Sequence, residues 1–228
     1  MTRLSFLERP AGGDPRGLLV LHHGRGADEQ DLLPLADALD PRRRLHVVTP
    51  AAPLTPAGST GRHWYLVPRV GYPDPETFDL AYRSLARFHD ELWERTGIEP
   101  SRTVLGGFSM GAVMSYALGL GRGRPVPGGI LALSGFLPSV PGWQPDLATR
   151  RGLAVLIAHG RRDPVISVGL AREARERLSK GGLQVDYHEF DGGHGVEPSL
   201  LGVAADWLAA TLELGPDAAA RAGDRRSA

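Results

Sequence analysis

The sequence of 228 residues contains no cysteine, which excludes disulfide bonds, a thiolate nucleophile and cysteine metal ligands. It has no excess of either charge, because Lys plus Arg and Asp plus Glu each count 26. No basic surface is therefore predicted that would favour nucleic acid. Apolar runs stay well below the roughly 20 residues that cross a bilayer, and the first residues lack the apolar core of a signal peptide. These absences predict a cytoplasmic protein that binds a small molecule, without nucleic acid and without stable membrane insertion.

What the sequence does contain is an alternation of short apolar runs, rich in Val, Leu and Ile, with segments of helical period. This alternation is typical of an α/β fold with a mostly parallel sheet and helices on both faces. Residues 4–8 could add an antiparallel edge strand. The predicted parallel strands are residues 17–22, 45–49, 102–106, 129–133, 153–159 and 184–190.

The helical segments are predicted from their apolar spacing and from residues that favour helix ends. The first has Asp28 as its N-cap and stops at Pro41, and the others cover residues 76–95, 112–120, 168–178 and 198–212. Residues 1–214 are predicted to form a single domain, and residues 215–228, which have no apolar period, a disordered tail. Two irregular loops, 51–75 and 136–151, each contain several prolines and a tryptophan, and we expect them to form the substrate walls.

The segment Gly107–Gly111 has the pattern Gly-x-Ser-x-Gly directly between an apolar run and a helical stretch. Glycine at both ends removes the side chains that would crowd a sharp turn from strand to helix. A serine placed on such a turn can act as a nucleophile once a base activates it. The pattern therefore predicts Ser109 as a catalytic nucleophile.

A base and an acid follow Ser109 in the chain. His194, between glycines after the last predicted strand, is the expected general base, because imidazole exchanges protons near neutral pH. Asp163 follows the strand before it and is the expected acid that orients the imidazole, although it could merely cap the next helix. Asp191, three residues from His194, is the rival acid. The order Ser, Asp, His is that of the α/β-hydrolase fold.

Two backbone N–H groups are expected to bind the oxyanion, those of Met110 and of Arg25 in the loop after the first parallel strand. Because only its N–H is needed there, the Arg25 side chain is free, and it could meet an anionic substrate group or remain solvated. His63 is the only other histidine in a predicted pocket loop, and we keep it as a candidate substrate contact. Further candidate substrate contacts are Trp64, Tyr65, Phe136 and Trp143.

Several segments together resemble the phospholipase/carboxylesterase family of small α/β-hydrolase serine esterases, which includes acyl-protein thioesterases. They are residues 23–28 (HGRGAD), Trp64 and Tyr65, residues 107–112 (GFSMGA), the turn at Asp163, and residues 193–195. The resemblance implies a compact esterase with a minimal lid and no metal or cofactor, with Ser109, Asp163 and His194 as the triad. One residue departs from the pattern. Acyl-protein thioesterases usually carry leucine where Arg25 stands, which favours small or polar esters over depalmitoylation.

The sequence thus predicts a serine carboxylesterase that hydrolyses small carboxyl esters through an acyl-enzyme, with thioesters and lysophospholipids as further candidate substrates. It is compatible with a monomer or a homodimer. A ligand receptor or scaffold of the same fold, with incidental turnover, is the alternative from another functional class. A dienelactone-type or peptide hydrolase is a third hypothesis. The serine nucleophile argues against a dienelactone hydrolase, because cysteine is the usual nucleophile in that class.

Overall fold

The computed structural model describes residues 3–59 and 61–214. Within them, seven strands form one sheet in the order β1-β3-β2-β4-β5-β6-β7, and only β1 and β3 pair in antiparallel orientation. The predicted parallel sheet and its antiparallel edge strand are therefore confirmed. The strands are β1 (Phe6–Arg9), β2 (Leu18–His22), β3 (His46–Pro50), β4 (Thr103–Phe108), β5 (Gly129–Leu133), β6 (Ala154–Gly160) and β7 (Gln184–Phe190).

Five α-helices lie within the same residues, with a single 3-10 turn before each of β4, β6 and the last helix. The longest begins after Asp74, whose carboxylate accepts the Thr77 N–H, and ends at Gly97 with φ 66°. This is the end that the sequence predicts, because glycine adopts a left-handed conformation without strain. The helices are α1 (Leu35–Leu39), α2 (Pro75–Thr96), α3 (Met110–Leu120), α4 (Val168–Lys180) and α5 (Leu201–Thr211).

The helix predicted from Asp28 is wrong over its first half, where the chain forms turns instead. The Asp28 carboxylate accepts the Gln30 N–H at 2.8 Å, a local hydrogen bond that competes with helix formation. Pro34 then lacks an N–H to donate, and α1 begins only after it. The apolar pattern nevertheless buries Leu32 and Leu39, so the spacing reports burial here and not a continuous helix.

The sheet is buried on both faces, as its continuous apolar strands predict. In β5, Ile130 and Ala132 pack against α3 and α4, whereas Leu131 and Leu133 face α1 and α5. Helix α2 packs beside α3 on the first of these faces. Pro198 begins the 3-10 turn before α5 and not the helix itself.

The carboxyl ends of parallel strands meet at one edge of the sheet, where ligands bind in open α/β folds. The loops after β2, β4, β6 and β7 carry Arg25, Ser109, Asp163 and His194 in turn. No helix within residues 3–59 and 61–214 has the length and apolarity needed to cross a membrane. The segment 215–228, for which the sequence predicts disorder, lies outside the described residues.

Candidate active site

Ser109 occupies a sharp turn between β4 and α3, with φ 55° and ψ −119°. A positive φ is unfavourable for a residue with a side chain, so the surroundings must hold it there. A Cβ on Gly107 would lie 2.5 Å from the carbonyl carbon of Gly111, and one on Gly111 would lie 1.9 Å from the His22 oxygen. Only glycine fits at these two positions, and this lets the strand, the turn and the helix approach each other closely.

His194 lies next to Ser109 and is joined to it by a hydrogen bond of 2.9 Å between Nε2 and Oγ. Its Nδ1 is 2.7 Å from Oδ2 of Asp163. An ionised carboxylate can only accept, so Nδ1 carries the proton in this pair and Nε2 accepts the serine O–H. The structure thus brings the predicted nucleophile, base and acid into one hydrogen-bonded chain.

Asp163 is held firmly, with a side chain that is 0 % exposed. Its second oxygen, Oδ1, accepts the N–H groups of Val165 and Ile166, both at 2.8 Å. Burial by itself would raise the pKa of this carboxyl, but the hydrogen bonds from His194 and from the two N–H groups outweigh it and hold the pKa below its usual value. Asp163 is therefore a stable anion at neutral pH, facing the imidazole.

The sequence left two alternatives open for the acid: Asp163 could only cap the next helix, or Asp191 could face His194. The geometry of both residues bears on this choice. Asp163 does cap a turn, but α4 itself is capped by Ser167, whose hydroxyl accepts the Gly169 N–H. The rival Asp191 has a side chain that is 68 % exposed, and its ion pair at 3.2 Å is with Arg162. Asp191 thus lies apart from the His194 imidazole.

Met110 and Arg25 both line the pocket that contains Ser109. Met110 is the first residue of α3, where a helix leaves its N–H groups without partners. Within residues 3–59 and 61–214, neither the Met110 nor the Arg25 N–H has a hydrogen-bond acceptor. Both donors are available to a developing negative charge, which the positive end of the helix dipole also favours.

The loop after β2 that carries Arg25 is fixed by a set of hydrogen bonds around His23. The imidazole donates from Nδ1 to the Gly24 carbonyl at 2.7 Å and accepts the Ala52 N–H at Nε2. Burial lowers the pKa of His23, consistent with this neutral form. The indole N–H of Trp64 donates to the His23 carbonyl at 2.9 Å, and the Gly26 N–H donates to Arg62. These hydrogen bonds fix the backbone of the loop that carries Arg25.

Of the predicted substrate contacts, Arg25, Tyr65 and Phe136 line the Ser109 pocket. Trp64 does not, because its side chain is entirely buried and supports the loop at His23. Trp143 also lies elsewhere, against Phe78 and with its indole N–H on the Ala117 carbonyl. His63 pairs with Ser59 at 3.3 Å and is not among the lining residues.

Sequence reasoning missed several residues at the site. The pocket wall also includes Val165, from the turn after β6, and Arg69 and Val70, from the loop 51–75 that is expected to form a substrate wall. None of these three residues was predicted individually. His159, in β6, is another residue that the sequence did not predict at the site. The Nε2 atom of His159 lies 2.8 Å from the Ile166 carbonyl and 3.3 Å from Oδ2 of Asp163, and its side chain is 0 % exposed. Its position four residues before the acid is the signal that could have found it.

Comparison with known proteins gives the chain its family. The family model described as Phospholipase/Carboxylesterase matches residues 9–212. The chain belongs to this family. This phospholipase/carboxylesterase family member is therefore a serine hydrolase of the type that acts on carboxylic esters.

Two relatives illustrate the range of the phospholipase/carboxylesterase family. The chain is 28% identical over 175 residues to lysophospholipase-like protein 1 of Mus musculus, covering 74% of this chain and 72% of the relative. It is 26% identical over 209 residues to acyl-protein thioesterase 1 of Emericella nidulans, covering 81% of this chain and 84% of the relative. Both matches span most of each protein.

Solved structures resemble this family member over nearly the whole chain. The carboxylesterase of Bacillus cereus matches with a TM-score of 0.80 and 24% identity, covering 91% of this chain and 94% of that one. Esterase PE8 matches with a TM-score of 0.80 and 28% identity, covering 92% and 100%. Together with the sheet order described above, these likenesses confirm the predicted α/β-hydrolase fold.

Proposed function

We propose that this protein is a carboxylesterase in which Ser109, His194 and Asp163 form the catalytic triad and hydrolysis proceeds through an acyl-enzyme. The observation that carries the proposal is the continuous hydrogen-bonded chain, 2.9 Å from Ser109 to His194 and 2.7 Å from His194 to Asp163. Membership of the phospholipase/carboxylesterase family supports the same chemistry.

In the first half-reaction, the Ser109 hydroxyl attacks the ester carbonyl carbon while His194 takes its proton at Nε2. Asp163 holds the imidazole by its Nδ1–H and stabilises the positive charge that develops on it. The carbonyl oxygen becomes an oxyanion, for which the N–H groups of Arg25 and Met110 are the donors. When the bond between carbon and leaving oxygen breaks, His194 gives the proton to the departing alcohol, and Ser109 remains acylated.

The second half-reaction repeats these roles with water. His194 removes a proton from a water molecule while the water oxygen attacks the acyl carbon. The N–H groups of Arg25 and Met110 bind the second oxyanion. Collapse of the intermediate breaks the bond to Ser109 Oγ, which recovers its proton from His194. The products are the carboxylic acid and the free enzyme, so no redox step is required.

Small carboxyl esters are the proposed substrates, because the pocket beside Ser109 is walled mainly by apolar side chains such as Tyr65 and Phe136. Thioesters and lysophospholipids belong in the same assay, since relatives carry the names acyl-protein thioesterase and lysophospholipase-like protein. All of these have an acyl carbon that a serine can attack, and they differ in leaving group and chain length.

The experiment that tests this proposal compares Ser109→Ala with a matched exposed control, Ser139→Ala, on 4-nitrophenyl butyrate. Loss of the nucleophile should lower kcat at least about 1,000-fold, whereas Ser139→Ala should keep the wild-type rate. A fluorophosphonate probe should label the wild type and Ser139→Ala but not Ser109→Ala. Wild-type turnover by a folded Ser109→Ala protein would refute the triad.

A further inference from the structure

Two arginines are among the described residues that line the Ser109 pocket. Arg25 comes from the loop after β2, and Arg69 from the loop before α2. Neither Asp nor Glu occurs among the described residues that line this pocket. Asp163, the acid of the proposed triad, is fully buried and hydrogen-bonded to His194. It therefore does not neutralise the charges of Arg25 and Arg69.

These two arginines differ in their ion pairing from many others among the described residues. Arg124, for example, pairs with Asp90 at 2.7 Å, and Arg172 pairs with Glu189 at 2.7 Å. Within residues 3–59 and 61–214, no ion pair involves Arg25 or Arg69. Their charge therefore remains available to a ligand. The Arg25 charge also acts on His63. Burial lowers the pKa of this imidazole, and the Arg25 charge lowers it further.

Arg69 is also held in place. Its guanidinium carbon lies 3.6 Å from the centre of the Tyr72 ring, and the Tyr72 N–H donates to the Arg69 carbonyl at 3.0 Å. A cation stacked on an aromatic ring keeps its N–H groups at the edges, where they can bind an oxyanion in the same plane. Because the side chain is already ordered, less conformational entropy is lost when a ligand binds.

Apolar side chains line the same pocket as these two arginines and Ser109. Val70 and Val165 line the pocket and are 44 % and 45 % exposed, respectively, and Phe136 lies deeper. An ester that fits such a wall combines an apolar body with a negative group. Arginine binds carboxylates and phosphates in this way because its forked N–H groups match two oxygens.

We propose that Arg25 and Arg69 form a subsite for an anionic oxygen group, such as a carboxylate, on the ester substrate. The inference rests on the proposed esterase function and names the class of ester that this enzyme prefers. The anionic group can belong either to the acyl part or to the alcohol part of the ester, and the test below separates these two sources.

The test uses two matched pairs of esters. The acyl pair is mono-4-nitrophenyl suberate and its neutral methyl ester, and the alcohol pair is 4-acetoxybenzoate and its neutral methyl ester. In each pair the ratio of kcat/KM values, anionic over neutral, is compared between enzyme variants, so that the intrinsic reactivity of each ester cancels. Arg69→Gln should lower the ratio about 3- to 10-fold in at least one pair, and Arg69→Glu should lower it further.

The control is Arg122→Gln, because Arg122 is also exposed but lines a different pocket, together with Trp143 and without Ser109. This variant should keep the wild-type ratio in both pairs. Added salt should lower the wild-type ratio toward that of Arg69→Gln, since salt screens exposed charges. The pair that responds identifies the side of the ester that carries the charge.

A ratio unchanged by Arg69→Gln and Arg69→Glu in both pairs would overturn the subsite while leaving the esterase proposal intact. An equal fall of both members of a pair would also overturn it, because that result indicates general damage and not recognition of charge. Absence of turnover of all four esters by the wild type would instead refute the esterase function, and the subsite with it.

Discussion

Asp163 shows how one carboxylate can serve the fold and the proposed chemistry together. Its Oδ1 atom accepts two backbone N–H groups of the turn after β6, and its Oδ2 atom faces His194. The sequence presented these roles as alternatives. They coexist because a carboxylate has enough lone pairs to accept several hydrogen bonds at once. The turn thereby orients the same group that orients the imidazole.

Replacing this acid by its amide separates the two roles. In Asp163→Asn the remaining oxygen can still accept from the turn, but an NH₂ group facing His194 favours the wrong imidazole tautomer. We expect kcat for 4-nitrophenyl butyrate to fall about 10,000-fold, as the loss of a triad acid does elsewhere. The matched control is Asp191→Asn, whose exposed side chain lies apart from the imidazole. Equal losses in the two variants would contradict the assignment.

The proposed triad could be predicted at the residue scale because each member lies in the turn or loop that follows a predicted strand and has glycine beside it or nearby. The pocket wall could not be predicted in this way. Trp64 and Trp143 are aromatic residues in irregular loops, but both indole N–H groups are bound to backbone carbonyls in the interior. Nothing in the residue type tells whether a loop tryptophan faces a ligand or the core. Arg69 lies in one of the two loops expected to form the substrate walls. No periodicity in that loop indicates which of its side chains face the pocket.

At the scale of elements, burial was easier to predict than hydrogen bonding. The apolar spacing of α2 coincides with a capping aspartate and a terminal glycine, so the position of the helix follows from local sequence. The same spacing before α1 is interrupted by Pro34 and by the turn at Asp28, and only the buried side chains keep the expected pattern. Local hydrogen-bond competition therefore decides where a helix begins.

The C-terminal end of α3 is stabilised by a side chain from outside the helix. The buried Arg150, in the 3-10 turn before β6, donates from Nε to the Gly119 carbonyl at 2.8 Å and from Nη2 to the Gly121 and Arg124 carbonyls. A cation at this position also complements the negative end of the helix dipole. The other end of α3 carries Met110, so Arg150 contributes to holding the helix that forms the proposed oxyanion site.

Arg150→Met should therefore lower the free energy of unfolding by about 2 to 4 kcal/mol, because two buried carbonyls and a third, partly buried one lose their donor. The neighbouring exposed Arg151 supplies the control, and Arg151→Met should change stability by no more than about 0.5 kcal/mol. Urea denaturation at pH 7 measures both. Similar stabilities of the two variants would show that these carbonyls find other partners.

Considered as a whole, the molecule contains a pair of uncharged histidines buried behind the Ser109 turn. His22 Nδ1 lies 2.8 Å from the Ser115 hydroxyl, which itself donates to the Gly111 carbonyl, so His22 donates at Nδ1. Its Nε2 then accepts from Nε2 of His89, 3.2 Å away on α2. Burial lowers the pKa of both imidazoles, for His89 to about 3, and the Arg124 charge adds to the effect at His89.

Stability of the whole protein should consequently decrease as the pH falls through the range in which unfolded histidine takes up protons. The unfolded imidazole titrates near 6.5, whereas folded His89 stays neutral down to about 3, so the unfolded state binds more protons between these values. This difference favours unfolding by about 2 kcal/mol for His89 alone between pH 7 and 5. Carboxyls with lowered pKa values, such as Asp163, lose their contribution only below about pH 4, outside this window.

Urea denaturation of the wild type and of His89→Phe at pH 7, 6 and 5 tests this account. The variant will be less stable than the wild type at pH 7, because His22 loses its hydrogen-bond partner. Its stability should nevertheless fall less steeply between pH 7 and 5, since one buried imidazole no longer resists protonation. An equally steep fall in both proteins would locate the pH dependence elsewhere. The slope, and not the stability at any one pH, therefore distinguishes a titrating histidine from one that only fills space in the core.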